Sequence, residues 1–158
     1  MARRLSRLDA ATVLSVNLSE RKGTRKRPVD RASLVPDFGL EGDAHAGERH
    51  RQVSLLAQES IDKIAARGLT LAPGDFAENI TTRGIDLMRL PVGSVLRVGR
   101  DAELEVTQIG KECHLGCDIR KQVGDCVMPR EGIFARVLKP GTVAAGDSIE
   151  VLERGDGP

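Results

Sequence analysis

The stretch at residues 94–109, SVLRVGRDAELEVTQI, carries the clearest strand pattern in the chain. Its first half is led in by Pro91-Val-Gly93 and reads as a short β-strand. Its second half alternates, with Leu104 and Val106 on one face. The Gly99-Arg-Asp101 link between the two halves predicts a hairpin.

The pattern continues outward on both sides. Downstream, residues 133–138 (IFARVL) read as either a helical turn or a strand. Residues 141–152 (GTVAAGDSIEVL) read as two short strands around a Gly146-Asp147 turn. Upstream, residues 12–18 (TVLSVNL) form a strand candidate rich in β-branched residues. The charged run at 20–27 (ERKGTRKR) reads as a loop or a long hairpin tip, either a solvated turn or a phosphate-binding patch. Pro28 opens a second short strand running towards Leu34, and residues 53–56 (VSLL) make a buried one. Residues 77–82 (AENITT) are a further candidate. Only residues 58–67 (QESIDKIAAR) have helical spacing, through Ile61, Ile64 and Ala65, and they stop at Gly68.

Many short strands, frequent Gly and Pro, and one or two short helices predict a mainly β fold. A β-barrel-like or folded-over sheet fits better than alternating βαβ units. The expected layout is a flexible basic N-terminus at 1–11, one domain at 12–152 and a loose tail at 153–158.

At 158 residues the chain is long enough for one domain with a real core. Twenty-four basic residues against 23 acidic ones leave a net charge of +1. No overall field therefore draws the chain to nucleic acid or to an anionic membrane. Three Phe, with no Trp or Tyr, leave no stacking platform for single strands. The basic start lacks the apolar run of a signal peptide, and no stretch is long enough for a spanning helix. A cytoplasmic protein without nucleic-acid or membrane partners is expected.

All three Cys fall between Cys113 and Cys126, within GKECHLGC and GDCVMPREG. An odd, clustered set argues against a secreted disulfide scaffold and for a reactive thiol or a metal site. Lys111 and His114 flank Cys113 and would favour its thiolate, the form that attacks electrophiles or binds soft metals. Cys117 and Cys126 could resolve it by disulfide exchange, share a ligand role, or be buried hydrophobes. A zinc or redox module using Cys113, His114, Cys117 and Cys126 is one alternative.

The Gly-rich loop at 38–51 (FGLEGDAHAGERHR) holds His45 and His50 beside Asp43, Arg49 and Arg51. It is a second candidate polar site, for metal, proton transfer or a substrate anion. Glu78 and Asn79 could orient a ligand or cap a turn. Arg51, Lys111, Arg130 and backbone amides could meet phosphates.

Several stretches in order resemble a small single-domain MOSC protein, the family named for the C-terminal domain of molybdenum cofactor sulfurases. They are GLEGDAHAG with RQVSLL, PGDFAENITTRGIDL, LPVGSVLRVG, LEVTQIGKECH, GDCVMPREGIFARVL and GTVAAGDSIEV, from about Val13 to Leu152. The GKECH and GDCVMPREG forms resemble a bacterial subgroup, sometimes fused to molybdopterin-biosynthesis domains.

The resemblance implies a MOSC-type β-barrel-like fold. It makes Cys113 the family's hallmark Cys, a catalytic residue carrying sulfur as a persulfide or ligating molybdenum of a pterin cofactor. Lys111, His114, Arg51, Asn79, Arg130, His45 and His50 would supply cationic and hydrogen-bonding groups to that cofactor. Cys117 and Cys126 are weaker metal candidates. A molybdenum-dependent reductase of N-hydroxylated compounds is the runner-up reading. Either activity would need a partner, a sulfur-donor desulfurase or a molybdoenzyme or electron donor, and no pyridoxal phosphate site is expected within this chain.

Overall fold

A computed structural model of the protein describes residues 11–22, 24–47, 49, 51–110 and 131–157. Among the described residues, eleven strands and one α-helix follow in sequence. They are β1 (Thr12–Leu18), β2 (Arg27–Val29), β3 (Arg31–Val35), β4 (Gly39–Leu40), β5 (Val53–Ala57), α1 (Gln58–Ala65), β6 (Ile80–Arg83), β7 (Val95–Val98), β8 (Ala102–Ile109), β9 (Ile133–Lys139), β10 (Gly141–Ala144) and β11 (Ile149–Glu153). A single 3-10 turn, Leu87–Arg89, precedes β7.

The expected hairpin is present: β7 pairs antiparallel with β8, from Val98 opposite Ala102 to Val95 opposite Glu105. Along β8, Ala102, Leu104 and Val106 are buried, as the alternation requires. The ambiguous stretch at 133–138 is a strand, β9, and it makes a long pairing with β8. Alternation carries less information there because Ile133, Phe134 and Ala135 are all buried. The charged run at 20–27 is a hairpin tip, since β1 and β2 pair antiparallel down to Leu18 opposite Arg27.

The mainly β expectation holds, with five refinements. The large sheet runs β11-β7-β8-β9-β5-β6-β1-β2 and stays open at its two ends, so it is not a closed barrel. A second sheet, β10-β3-β4, contributes Ala32, Leu34, Leu40 and Val143 to the core it shares with the large one. The single strand expected from Pro28 to Leu34 is two strands, which part at Asp30 and join different sheets. The two strands around Gly146 likewise do not pair with each other: β10 joins β3 and β11 joins β7. The last strand candidate upstream is shorter and later than expected, Ile80–Arg83, because residues 74–78 are used in a turn.

One βαβ unit does occur. β5 runs parallel to β6, and α1 lies between them in sequence. β5 is buried along its whole length, and its two faces serve different cores. Val53, Leu55 and Ala57 face the main core, whereas Leu56 packs with Ile61 and Ile64 of α1 and with Phe76 and Phe134. The helix carries Glu59 in its first turn and Lys63 in its last, the favourable arrangement for its dipole. It ends two residues earlier than the spacing suggested, at Ala65, and Gly68 takes φ 94° just beyond.

Candidate functional site

Strand register fixes where the two candidate loops leave the sheet. Ile109, Ile133, Leu55, Ile80, Val16 and Val29 line up across five successive strand pairs. From that line, β8 runs on to Gly110, whose amide donates to the Gly132 carbonyl at 2.7 Å. Residues 111–130, with every Cys, therefore depart from and return to one point. β1 runs the opposite way, so the 19–26 tip leaves from the other side of the sheet, beyond Leu18 and Arg27. The described roots of the two candidate regions leave from opposite ends of the strands.

Cys113, Cys117, Cys126, Lys111, His114 and Arg130 lie outside the described residues, as does His50. The root from which the Cys segment departs is described. Arg51 Nε donates to Gln108 Oε1 at 3.0 Å, and Gln108 Nε2 donates to the Gly110 carbonyl at 2.7 Å. The Arg51 guanidinium also sits over the Phe134 ring, 5.5 Å from its centre. On the return side, Glu131 Oε1 accepts from Ser60 Oγ at 2.9 Å and Lys63 Nζ at 2.8 Å. Ser60, Lys63 and Glu131, with Ile85 and Met88, line a shallow cavity of about 350 Å³ at this end. The candidate Arg51 thus sits where the Cys segment begins, with neither Nη group bonded among the described residues.

The opposite end holds a buried polar cluster that the sequence only half disclosed. Lys26 Nζ lies 2.7 Å from Asp43 Oδ1, and neither side chain has exposed surface. Lys26 Nζ also donates to Ser19 Oγ at 3.2 Å and stands 3.1 Å from His45 Nδ1. Asp43 in turn accepts from the backbone amides of Ser19 and His45. Burial alone would raise the Asp43 carboxyl. The Lys26 bond and charge, with the Ser19 amide and Asn79, outweigh burial and hold it below the ordinary 3.8.

Asn79 belongs to this interior and has no exposed surface. Its Oδ1 accepts from the Ser54 amide and hydroxyl, and its Nδ2 donates to the Asn17 carbonyl. The amide is spent on joining β1 to β5, which leaves it no face towards a ligand. Glu78 beside it caps the 74–78 turn. Its carboxylate accepts from the Gly74 and Phe76 amides and from Thr81 Oγ1. Burial pushes the Glu78 carboxyl above its ordinary value, against the pull of those donors. Gly74 is required here: at φ 90°, a Cβ would lie 2.2 Å from the Lys26 carbonyl oxygen.

Of the described candidates, then, His45 and Asn79 share the buried end, and Arg51 stands at the Cys end. Among the described residues no group of three His, Cys, Asp or Glu is placed to hold a metal. No described helix is long and apolar enough to cross a membrane. Lys26 was missed as a single residue because nothing in ERKGTRKR marks one of its five cations for burial.

Comparison with known proteins agrees with this architecture. The MOSC domain model matches residues 42–150. The uncharacterized protein YflK of Bacillus subtilis is 27% identical over 171 positions, covering 92% of this chain and 75% of that protein. Among solved structures, YuaD from Bacillus subtilis has a TM-score of 0.75 at 22% identity, over 90% of this chain and 95% of that one. YiiM from Geobacillus stearothermophilus has a TM-score of 0.73 at 22% identity, over 93% and 77% respectively. These structural likenesses show a shared fold. The family match covers more than half of the sequence, and this chain belongs to the MOSC domain family, which is associated in general with the molybdenum cofactor.

Proposed function

We propose that this protein binds the molybdenum cofactor, or carries sulfur to it, through Cys113. The supporting observation is the placement of the Cys-bearing segment in a MOSC domain. The segment's described flanks, Gly110 and Gly132, bond to each other near the Arg51 guanidinium, neither Nη of which is bonded among the described residues. A thiolate is the soft donor that molybdenum or a persulfide requires. A phosphorylated pterin requires forked cationic donors, which suits Arg51.

The chain's residues fit the group unevenly. Arg51 would hold an anionic part of the cofactor, and Lys111, His114 and Arg130 would supply further charge. Asn79 does not fit, because its amide is fully engaged inside the fold. His45 lies at the other end of the strands, bonded to the Lys26–Asp43 pair, and is left to a separate role. When bound, the cofactor would supply redox and sulfur chemistry. Cys113 would hold the transferable sulfur or the metal.

The test loads anaerobically purified protein with molybdenum cofactor and a sulfur donor, followed by mass spectrometry for metal, pterin and persulfide. Wild type is expected to retain metal or a persulfide at Cys113, and Cys113→Ser to retain neither. Equal loading of the two proteins would remove the reading.

A further inference from the structure

The 19–26 tip does more than close a hairpin. With Gly42 and Asp75 it walls a groove of about 910 Å³, within the range of small-molecule sites. Glu20, Arg21, Thr24, Arg25, Lys26 and Arg27 contribute to its lining. The apolar floor comes from Leu18 and Val29.

The charges in this groove are not equivalent. Lys26 is matched by Asp43 behind the wall, so its charge is already answered. Arg25 has only a long contact to Asp75, 3.8 Å, and its side chain is 43% exposed. Arg21 and Arg27 are exposed and form no ion pair among the described residues. Three guanidinium groups therefore line one concave surface against two carboxylates, Glu20 and Asp75, and among the described residues only Asp75 pairs with one of them, at 3.8 Å. The groove's surplus of positive charge favours an entering anion. Guanidinium forks match phosphate oxygens two at a time.

We infer that this groove is a second ligand site, distinct from the Cys113 region, for a small organic phosphate or diphosphate. The near-absence of aromatic residues disfavours a nucleic-acid strand here. Register separates the roots of the two: the groove lies beyond Leu18 and Arg27, and the Cys segment leaves from the opposite strand ends beyond Gly110. The buried Lys26–Asp43–His45 cluster fixes the groove, because it ties β2 to the 41–47 loop across the floor. The inference does not depend on what Cys113 does.

The probe is inorganic pyrophosphate, titrated calorimetrically into the full-length protein at constant ionic strength. The wild type is expected to bind with submillimolar affinity that weakens as salt rises. Arg21→Ala/Arg27→Ala is expected to lose at least about tenfold in affinity. Arg97→Ala/Arg100→Ala, which removes two cations from β7 and its turn, and Cys113→Ser should both bind like wild type. Thermal melts of every variant guard against misfolding. The inference is overturned if wild type shows no binding, or if the Arg97/Arg100 control weakens as much as the groove variant. Loss of binding in Cys113→Ser would equally overturn it, since the groove would then be part of the Cys113 site.

Discussion

The two ends of the strands handle charge in opposite ways. At the hairpin end an ammonium and a carboxylate are sealed from solvent at 2.7 Å, and amides and hydroxyls complete their bonding. At the Cys end the pairs face water: the Lys63 side chain is 66% exposed where it meets Glu131, and the Arg51 Nη groups have no partner among the described residues. A buried pair must keep both partners, whereas an exposed pair can exchange one for a ligand at little cost. The difference separates a fixed scaffold, on which the groove is built, from a surface left open to recruit something.

Halving the buried pair is the strongest way to break that contrast. Asp43→Asn strands the Lys26 ammonium and should cost about 3–5 kcal/mol in urea unfolding at pH 7. Lys26→Met combined with Asp43→Leu should recover most of the loss. A cost below about 1 kcal/mol for Asp43→Asn would mean that water reaches the pair, and the contrast would fail.

Glu78→Gln comes next. Its carboxylate answers three donors through both oxygens, so an amide must point N–H groups at one of them. A cost of about 1–3 kcal/mol is expected by the same measurement.

These two carboxylates should also pull stability in opposite directions with pH. The Asp43 value is lowered on folding, so its contribution is complete above pH 3.8 and is lost as pH falls through the depressed value. The Glu78 value is raised, so its contribution is present below pH 4.5 and is lost as pH rises through the elevated value. Unfolding free energies between pH 2.5 and 7 should therefore fall less steeply on the acid side in Asp43→Asn than in wild type. In Glu78→Gln the decline from acid towards neutral pH that Glu78 contributes should disappear.

The Cys end should tolerate change. Arg51→Ala is expected to alter stability by less than about 1 kcal/mol, while lowering retention of added molybdenum cofactor severalfold. Lys63→Ala should stay within about 0.5 kcal/mol, which thermal melts would check. A large stability loss in either would show that this end is as built-in as the other.

Local pattern made half of this fold readable. The β7–β8 hairpin, β1 and α1 each declare themselves within a dozen residues, because alternation, helical spacing and turn chemistry act at short range. Strand partnership does not. Residues 27–35 alternate almost continuously, yet the chain changes sheets at Asp30, since only distant partners, Leu18 and Gly141 among them, decide which strand pairs where. The sites divide similarly. Asp43 stood out in its Gly-rich loop, but its partner Lys26 could not be told from Arg25 or Arg27 by sequence. Asn79 reads as a polar residue ready for a ligand until the fold shows its amide bridging β1 and β5. The Cys cluster was the most legible feature of all, because three thiols in 14 residues are rare in any context.

The pairing of β3 with β10 has a consequence for the order of assembly. Leu34 lies opposite Gly141, more than a hundred positions later in the chain. During synthesis the exposed edge of β3 must wait until almost the whole domain has emerged before its partner arrives. Closing so long a loop delays the step, and contacts of this range slow folding more than they weaken the final state. The small sheet is thus among the last parts of the main core to close. Until then Leu34 and Leu40 stay open to other chains, and this interval is when the protein is most exposed to aggregation.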